Sequence, residues 1–240
     1  MRRFLLTLLA SLAVLVGYAG PAAADLLYTL DQDHCTGGCG ATPFGDVRLH
    51  QVASGDVQVT VTLTDSNRFM GTSGAGDAFL FNLTGFPDIS GPGVLVFTTA
   101  GFALDPATSD PPNLFHADGT GSWMYGINCV VCGSGGSNPN AGPLVFDVNL
   151  AGLTVNDFIA TTTGGNGNTG SNGNFFAVDL CSSFGSGPNG GCANTGDVAG
   201  NTPGAVVPPI GEAPEPGTLL LFGAGLLALA NLRSKRRSSK

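Results

Sequence analysis

Six cysteines, Cys35, Cys39, Cys129, Cys132, Cys181 and Cys192, are the residues with the most chemistry open to them, and they fall into three close pairs. An even number of cysteines in an oxidising compartment pairs into disulfides, and the spacing predicts local clips joining Cys35 to Cys39, Cys129 to Cys132, and Cys181 to Cys192. Thiol redox chemistry is a second reading, because Cys129-Val130-Val131-Cys132 has the spacing of a redox motif. That run continues into Gly133-Ser134-Gly135-Gly136 and not into a helix whose N-terminus would lower a thiol pKa. A four-sulfur zinc site from Cys35, Cys39, Cys129 and Cys132 is a third, which a long intervening segment and an oxidising destination disfavour. Structural disulfides are the expectation.

Carboxylates form the second reactive group. The whole chain has a formal charge of −8, but residues 25–214 hold fifteen Asp and one Glu against Arg48 and Arg68, with no Lys, which leaves −14. Nucleic acid is excluded as a partner, since no basic patch exists to neutralise phosphates. Asp31-Gln32-Asp33 beside His34 is the most compact ligand group in the sequence. Residues two apart share a face of an extended strand, so Asp31 and Asp33 are the candidate metal ligands, with calcium the ion they would take. No other cofactor is expected. His34, His50 and His116 have no paired spacing for a metal and read as surface or loop residues. Asp118-Gly119-Thr120-Gly121 reads as a turn. The Gly-x-Gly-x-x-Gly matches beginning at Gly165 and Gly185 open no helix of a strand-helix-strand unit, and no Gly-x-Ser-x-Gly elbow is present, so nucleotide binding and serine-hydrolase chemistry both lose support.

These residues need a scaffold, and the dominant pattern is alternation with a period of two. From Asp56 to Thr64, Val57, Val59, Val61 and Leu63 face one way and polar residues the other, the signature of a strand with one buried side. Leu144, Phe146, Val148 and Leu150 repeat it. Shorter candidates are Leu26 to Leu30, Val47 to Val52, Ala78 to Leu83, Val94 to Thr99, Ser122 to Ile127 and Asn174 to Ser182. Trp123 and Tyr125 alternate with Met124 as core strand residues do. About eight strands, almost no helical period and 38 glycines predict an all-β fold: a single antiparallel β-sandwich or jelly-roll-like domain with Gly/Asn-rich loops. The loops Gly133 to Gly142 and Gly164 to Asn174 are too polar for a core.

Both ends of the chain carry addresses. Arg2 and Arg3 precede an apolar stretch from Phe4 to Val16, and Ala22-Ala23-Ala24 supplies the small residues of a cleavage site, so residues 1–24 read as a signal peptide. At the other end stand Pro214-Glu215-Pro216, an apolar run from Thr218 to Leu232, and Arg233-Ser234-Lys235-Arg236-Arg237. At about 1.5 Å per residue the run spans roughly 23 Å as a helix, short of the roughly 30 Å of a bilayer core. It is a marginal anchor. The cations after it favour a cytoplasmic C-terminus, while the prolines keep the approach extended. This order of Pro-flanked acid, short membrane segment and basic stop resembles the PEP-CTERM sorting signal of Gram-negative bacteria. An uncleaved C-terminal anchor is the alternative. The organisation expected is signal peptide 1–24, β-sandwich 25–202, Pro-rich spacer 203–213 and sorting signal 214–240, with its transmembrane segment at 218–232.

The resemblance implies export and cleavage by an exosortase, with Pro214, Glu215 and Pro216 as the recognition element of a substrate, not as catalytic groups. It also implies a location at the cell surface or outside the cell, with the inner membrane touched only transiently. Phe175 to Leu180 with Asn194-Thr195-Gly196-Asp197 resembles the closing strand and loop of PEP-CTERM ectodomains. The leading expectation is a non-catalytic surface or exopolysaccharide-matrix protein, not an enzyme. A calcium- or glycan-binding module using Asp31, Asp33, Asp118, Trp123 and Tyr125 is the alternative. A secreted hydrolase built on two of the Asp residues stands third.

Overall fold

The computed structural model describes residues 25–72, 76–106, 115–117, 119–132, 138–161, 173–202, 205–207 and 225. The chain divides into a unit Ala24–Pro208 and a unit of the terminal segments Met1–Ala23 and Pro209–Lys240. The expected signal peptide 1–24, the Pro214-Glu215-Pro216 motif and, apart from Gly225, the apolar run 218–232 lie outside the described residues. Among the described residues, no helix is long and apolar enough to cross a membrane.

Fifteen strands are described: β1 (Asp25–Leu30), β2 (Gln32–Asp33), β3 (Gly45–Ala53), β4 (Asp56–Leu63), β5 (Arg68–Phe69), β6 (Phe79–Phe81), β7 (Leu95–Phe97), β8 (Phe102–Leu104), β9 (Phe115–Ala117), β10 (Gly121–Trp123), β11 (Tyr125–Cys129), β12 (Leu144–Asn149), β13 (Phe176–Ser182), β14 (Asn194–Gly200) and β15 (Ala205–Val207). The first sheet has the order β15-β1-β3-β4-β12-β7, and the second β2-β14-β13-β6-β11-β8 with β5 also on β13. Every pairing is antiparallel, as the β-sandwich expectation requires.

The period-two pattern decides which faces meet. Val57, Val59 and Val61 of β4 sit opposite Val148, Phe146 and Leu144 of β12, and all six are fully buried. Phe79 and Phe81 of β6 and Phe176 of β13 project from the second sheet into the same core. Phe146 joins the layers, its ring centroid 6.1 Å from that of Phe79 and 5.8 Å from that of Phe81, while Tyr28 lies 4.9 Å from Phe176. Such ring pairs add directional packing to the hydrophobic term.

Four sequence expectations need correction. Asn194-Thr195-Gly196-Asp197 is not a closing loop but the start of β14, which pairs with β13 along its whole length; its turn-forming residue types disguise a strand whose partner supplies the stability. Ser122 to Ile127 is not one strand, because the chain breaks at Met124 between β10 and β11 and the two halves join different sheets. Ala205–Val207, inside the segment read as spacer, pairs with Asp25, Leu26 and Leu27 of β1, so strand pairing extends beyond residue 202. Asn174, at the end of a loop expected to be too polar for the interior, is fully buried because its Nδ2 donates to the Thr120 carbonyl at 2.7 Å.

Candidate functional site

Strand β13 is buried at all seven positions, although a half-covered sheet would alternate. A second, smaller core explains it. The hairpin β9–β10, with Gly121 opposite Ala117 and Trp123 opposite Phe115, packs on the outer face of the second sheet. Phe115, Ala117 and Trp123 there meet Leu80 of β6, Ala177 of β13 and Ala199 of β14. Two hydrogen bonds hold the hairpin and the residue after it: Trp123 Nε1 donates to Thr120 Oγ1 at 3.2 Å, and the Met124 amide donates to Asn82 Oδ1 at 2.8 Å.

Carboxylates collect on this covered face. Asp179 of β13 and Asp197 of β14 are direct cross-strand partners, and both are buried. The amide and hydroxyl of Thr72 donate to Asp179 Oδ2. The His34 amide donates to the Asp197 carbonyl at 3.0 Å, which continues the row onto the β2 segment. Burial lowers the pKa of His34, and neighbouring Asp33 only partly offsets it. An added Cβ on Gly119 would come within 2.5 Å of His34 Nδ1, so the turn after β9 presses on this ring.

Nearer the β8 edge stand Asp77, Asp105 and Asn128. Gly126 lies inside β11 opposite Leu80, and a Cβ there would meet the Cγ and Oδ2 of Asp77 at 2.5 Å. The missing side chain is the seat of the Asp77 carboxyl. Asp105 follows β8 and its amide donates to the Gly126 carbonyl at 2.9 Å, while Asn128 Nδ2 donates to Asp105 Oδ2 at 2.6 Å. Three short segments thus bring two carboxylates and an amide over one stretch of β11. Burial, with the charge of Asp105 adding to it, raises the Asp77 pKa to about 8, so this carboxyl is neutral at pH 7 when no cation faces it.

The residues singled out in the sequence fare differently. The six cysteines form the three expected local disulfides, with Cα separations of 5.5 Å for Cys35–Cys39, 5.4 Å for Cys129–Cys132 and 5.2 Å for Cys181–Cys192. The carboxylate of Asp33 takes the Cys35 amide at 2.9 Å and the Cys39 amide at 2.8 Å, so it closes the first disulfide loop. Asp31 accepts from Gln32 Nε2 at 3.0 Å. Asp33, Cys35 and Cys39 are close enough to share a metal, but both sulfurs are already joined to each other. Asp118 lies outside the described residues. Trp123 and Tyr125 are 0% and 1% exposed, as core residues should be, and neither ring is open to a glycan. His116 is exposed, as a surface residue should be, and both it and His50 are carried on strands: His50 Nδ1 lies 2.5 Å from Asp25 Oδ1, and His116 Nδ1 lies 2.9 Å from Ser122 Oγ.

Comparison with known families bears on the tail alone. The model of the PEP-CTERM protein-sorting motif matches residues 212–237, a span that takes in Pro214, Glu215, Pro216, the apolar run and the basic cluster. The chain carries a PEP-CTERM sorting motif. This motif marks an exported, exosortase-processed protein associated with the cell surface. No curated protein and no solved structure matches the chain.

Proposed function

We propose that the processed protein is a non-catalytic β-sandwich that serves at the cell surface as a component of the exopolysaccharide matrix. The observation that carries this reading is the PEP-CTERM motif at 212–237, since it commits the chain to an export route that ends outside the cell. Three disulfides support it, because covalent clips suit a Gly-rich domain that must persist in an oxidising exterior. The buried carboxylates support it as well: Asp77, Asp179 and Asp197 are closed off from water, and a hydrolase needs its acid and base at an open cleft.

Fractionation of the producing cells with mass spectrometry of the product tests the proposal. The polysaccharide-bound fraction should hold a chain that starts near Asp25 and stops close to Glu215, and Glu215→Ala should leave an unprocessed, membrane-held form. Recovery of the Arg233–Lys240 tail on extracellular protein would refute the processing, and a processed chain found entirely free of the matrix would refute the matrix role.

A further inference from the structure

Asp77 is 0% exposed, and neither of its carboxylate oxygens has a hydrogen-bond partner. Burying a carboxyl unbonded costs a few kcal/mol, and burying it charged costs far more. The fold nevertheless leaves room for it at Gly126, to whose carbonyl the Asp105 amide donates, and Asn128 in turn reaches Asp105. A counter-charge from within the chain is not at hand. Residues 25–214 contain two Arg and no Lys. Arg48 pairs with Asp25, and Arg68 lies 5.8 Å over the Phe184 ring and donates to the Asn67 carbonyl. Asp77 therefore either keeps a proton or takes a cation from solution.

We propose that Asp77, Asp105 and Asn128 form a calcium site on the covered face of the second sheet. Two carboxylates and an amide carbonyl are hard oxygen donors, the set that calcium takes with six to eight ligands in irregular geometry, water completing the shell. Magnesium is the poorer occupant, because it demands near-octahedral coordination and sheds water reluctantly. The Asn128 amide already donates its Nδ2 to Asp105, which leaves its Oδ1 for the ion. Occupancy would replace the unbonded burial of Asp77 with metal coordination. It would also tie together three segments far apart in the chain: the approach to β6, the end of β8 and the middle of β11. These residues are distinct from Asp31, which accepts from the Gln32 side chain, and Asp33, which closes the first disulfide loop.

The test uses the processed protein recovered from the cell exterior and stripped with a chelator. Thermal unfolding is followed with about 10 mM calcium chloride, above the roughly 0.1 to 1 mM dissociation constants of extracellular modules, and with sodium chloride of equal ionic strength. Calcium at about a hundredfold excess over its dissociation constant should raise the Tm by roughly 5 to 10 °C beyond the sodium control. Elemental analysis should then find one calcium per chain. Asp77→Asn should lose the calcium-specific shift, whereas Asp33→Asn should keep it. If Asp77→Asn fails to fold, Asn128→Ala carries the same comparison, with a weakened shift expected. Equal responses to calcium and sodium, or a full calcium response in Asp77→Asn or Asn128→Ala, would overturn the site.

Discussion

The outer faces of the two sheets meet opposite surroundings. On the first sheet, Gln58, Thr60 and Thr62 of β4 and Val145 and Asp147 of β12 stay at least partly open to water, and Gln58 Nε2 reaches Asp147 Oδ1 across the strands at 3.0 Å. On the second, the hairpin β9–β10 turns the face into a second interior with Trp123 at its centre. An open face tolerates a carboxylate at little cost, since water solvates it. A covered face must hydrogen-bond each carboxylate, protonate it or give it a cation; burial raises the pKa of Asp46 and Asp56 on the first sheet as well, but the large shift is that of Asp77 on the second.

Truncating Trp123 should separate the faces most sharply. Trp123→Ala should cost about 3 to 5 kcal/mol by denaturant unfolding, the range for a large buried aromatic. A loss no greater than that of a surface threonine would mean the hairpin does not form a core. The next effect concerns pH in metal-free buffer. Asp77 has its folded pKa raised from 3.8 to about 8, so between those values the folded state holds a proton that the unfolded state has released. Its contribution to stability is complete below about pH 4 and is lost as pH rises through 8, at up to about 1.4 kcal/mol per pH unit. Asp77→Asn, which mimics the neutral form, should flatten that slope in melts at pH 5, 6 and 7; an unchanged slope would place the titration elsewhere. Gly126→Ala should cost about 1 to 3 kcal/mol by driving the new methyl into the Asp77 carboxyl, and Asp77→Ala should partly relieve it in a double-mutant cycle. Strict additivity would show that the two positions do not compete for space. On the open face, Thr62→Ala should change stability by no more than about 0.5 kcal/mol.

Much of the first sheet was legible because its strands obey one rule: β4 and β12 alternate along their whole length and bury one side. The three disulfides were legible because short spacing limits what each cysteine can reach. The second sheet was legible only in part: Ala78 to Leu83 and Asn174 to Ser182 contain β6 and β13, but what covers them was not readable. Its strand β13 is buried on both sides by a hairpin whose position no local pattern announces, and β14 is written in Asn, Thr and Gly, the vocabulary of turns. Asp77, Asp105 and Asn128 drew no notice in the sequence because they meet only through the pairing of β6 and β8 with β11. One signal was available. Gly126 interrupts the strand Tyr125-Gly126-Ile127, and a glycine inside a strand often marks the close approach of another group. The sorting tail was legible for the opposite reason, since a short linear signal is read from its residues and needs no fold.

The pairing of β1 with β15 has a mechanical consequence. Asp25 lies opposite Val207, so the first described strand and the last run antiparallel at one edge of the first sheet, with the entry and exit of the domain at the same end of the pair. A pull applied between those two ends would load the ladder one hydrogen bond at a time, and β15 would peel away like a zipper. A pull between the exit and the far side of the sandwich would instead load the three-residue pairing of β15 with β1 in shear, all its bonds at once. Held by its C-terminal end and pulled on its other surfaces, the domain would thus be loaded along its stiffer direction, and the zipper mode would need a pull on the N-terminal end as well.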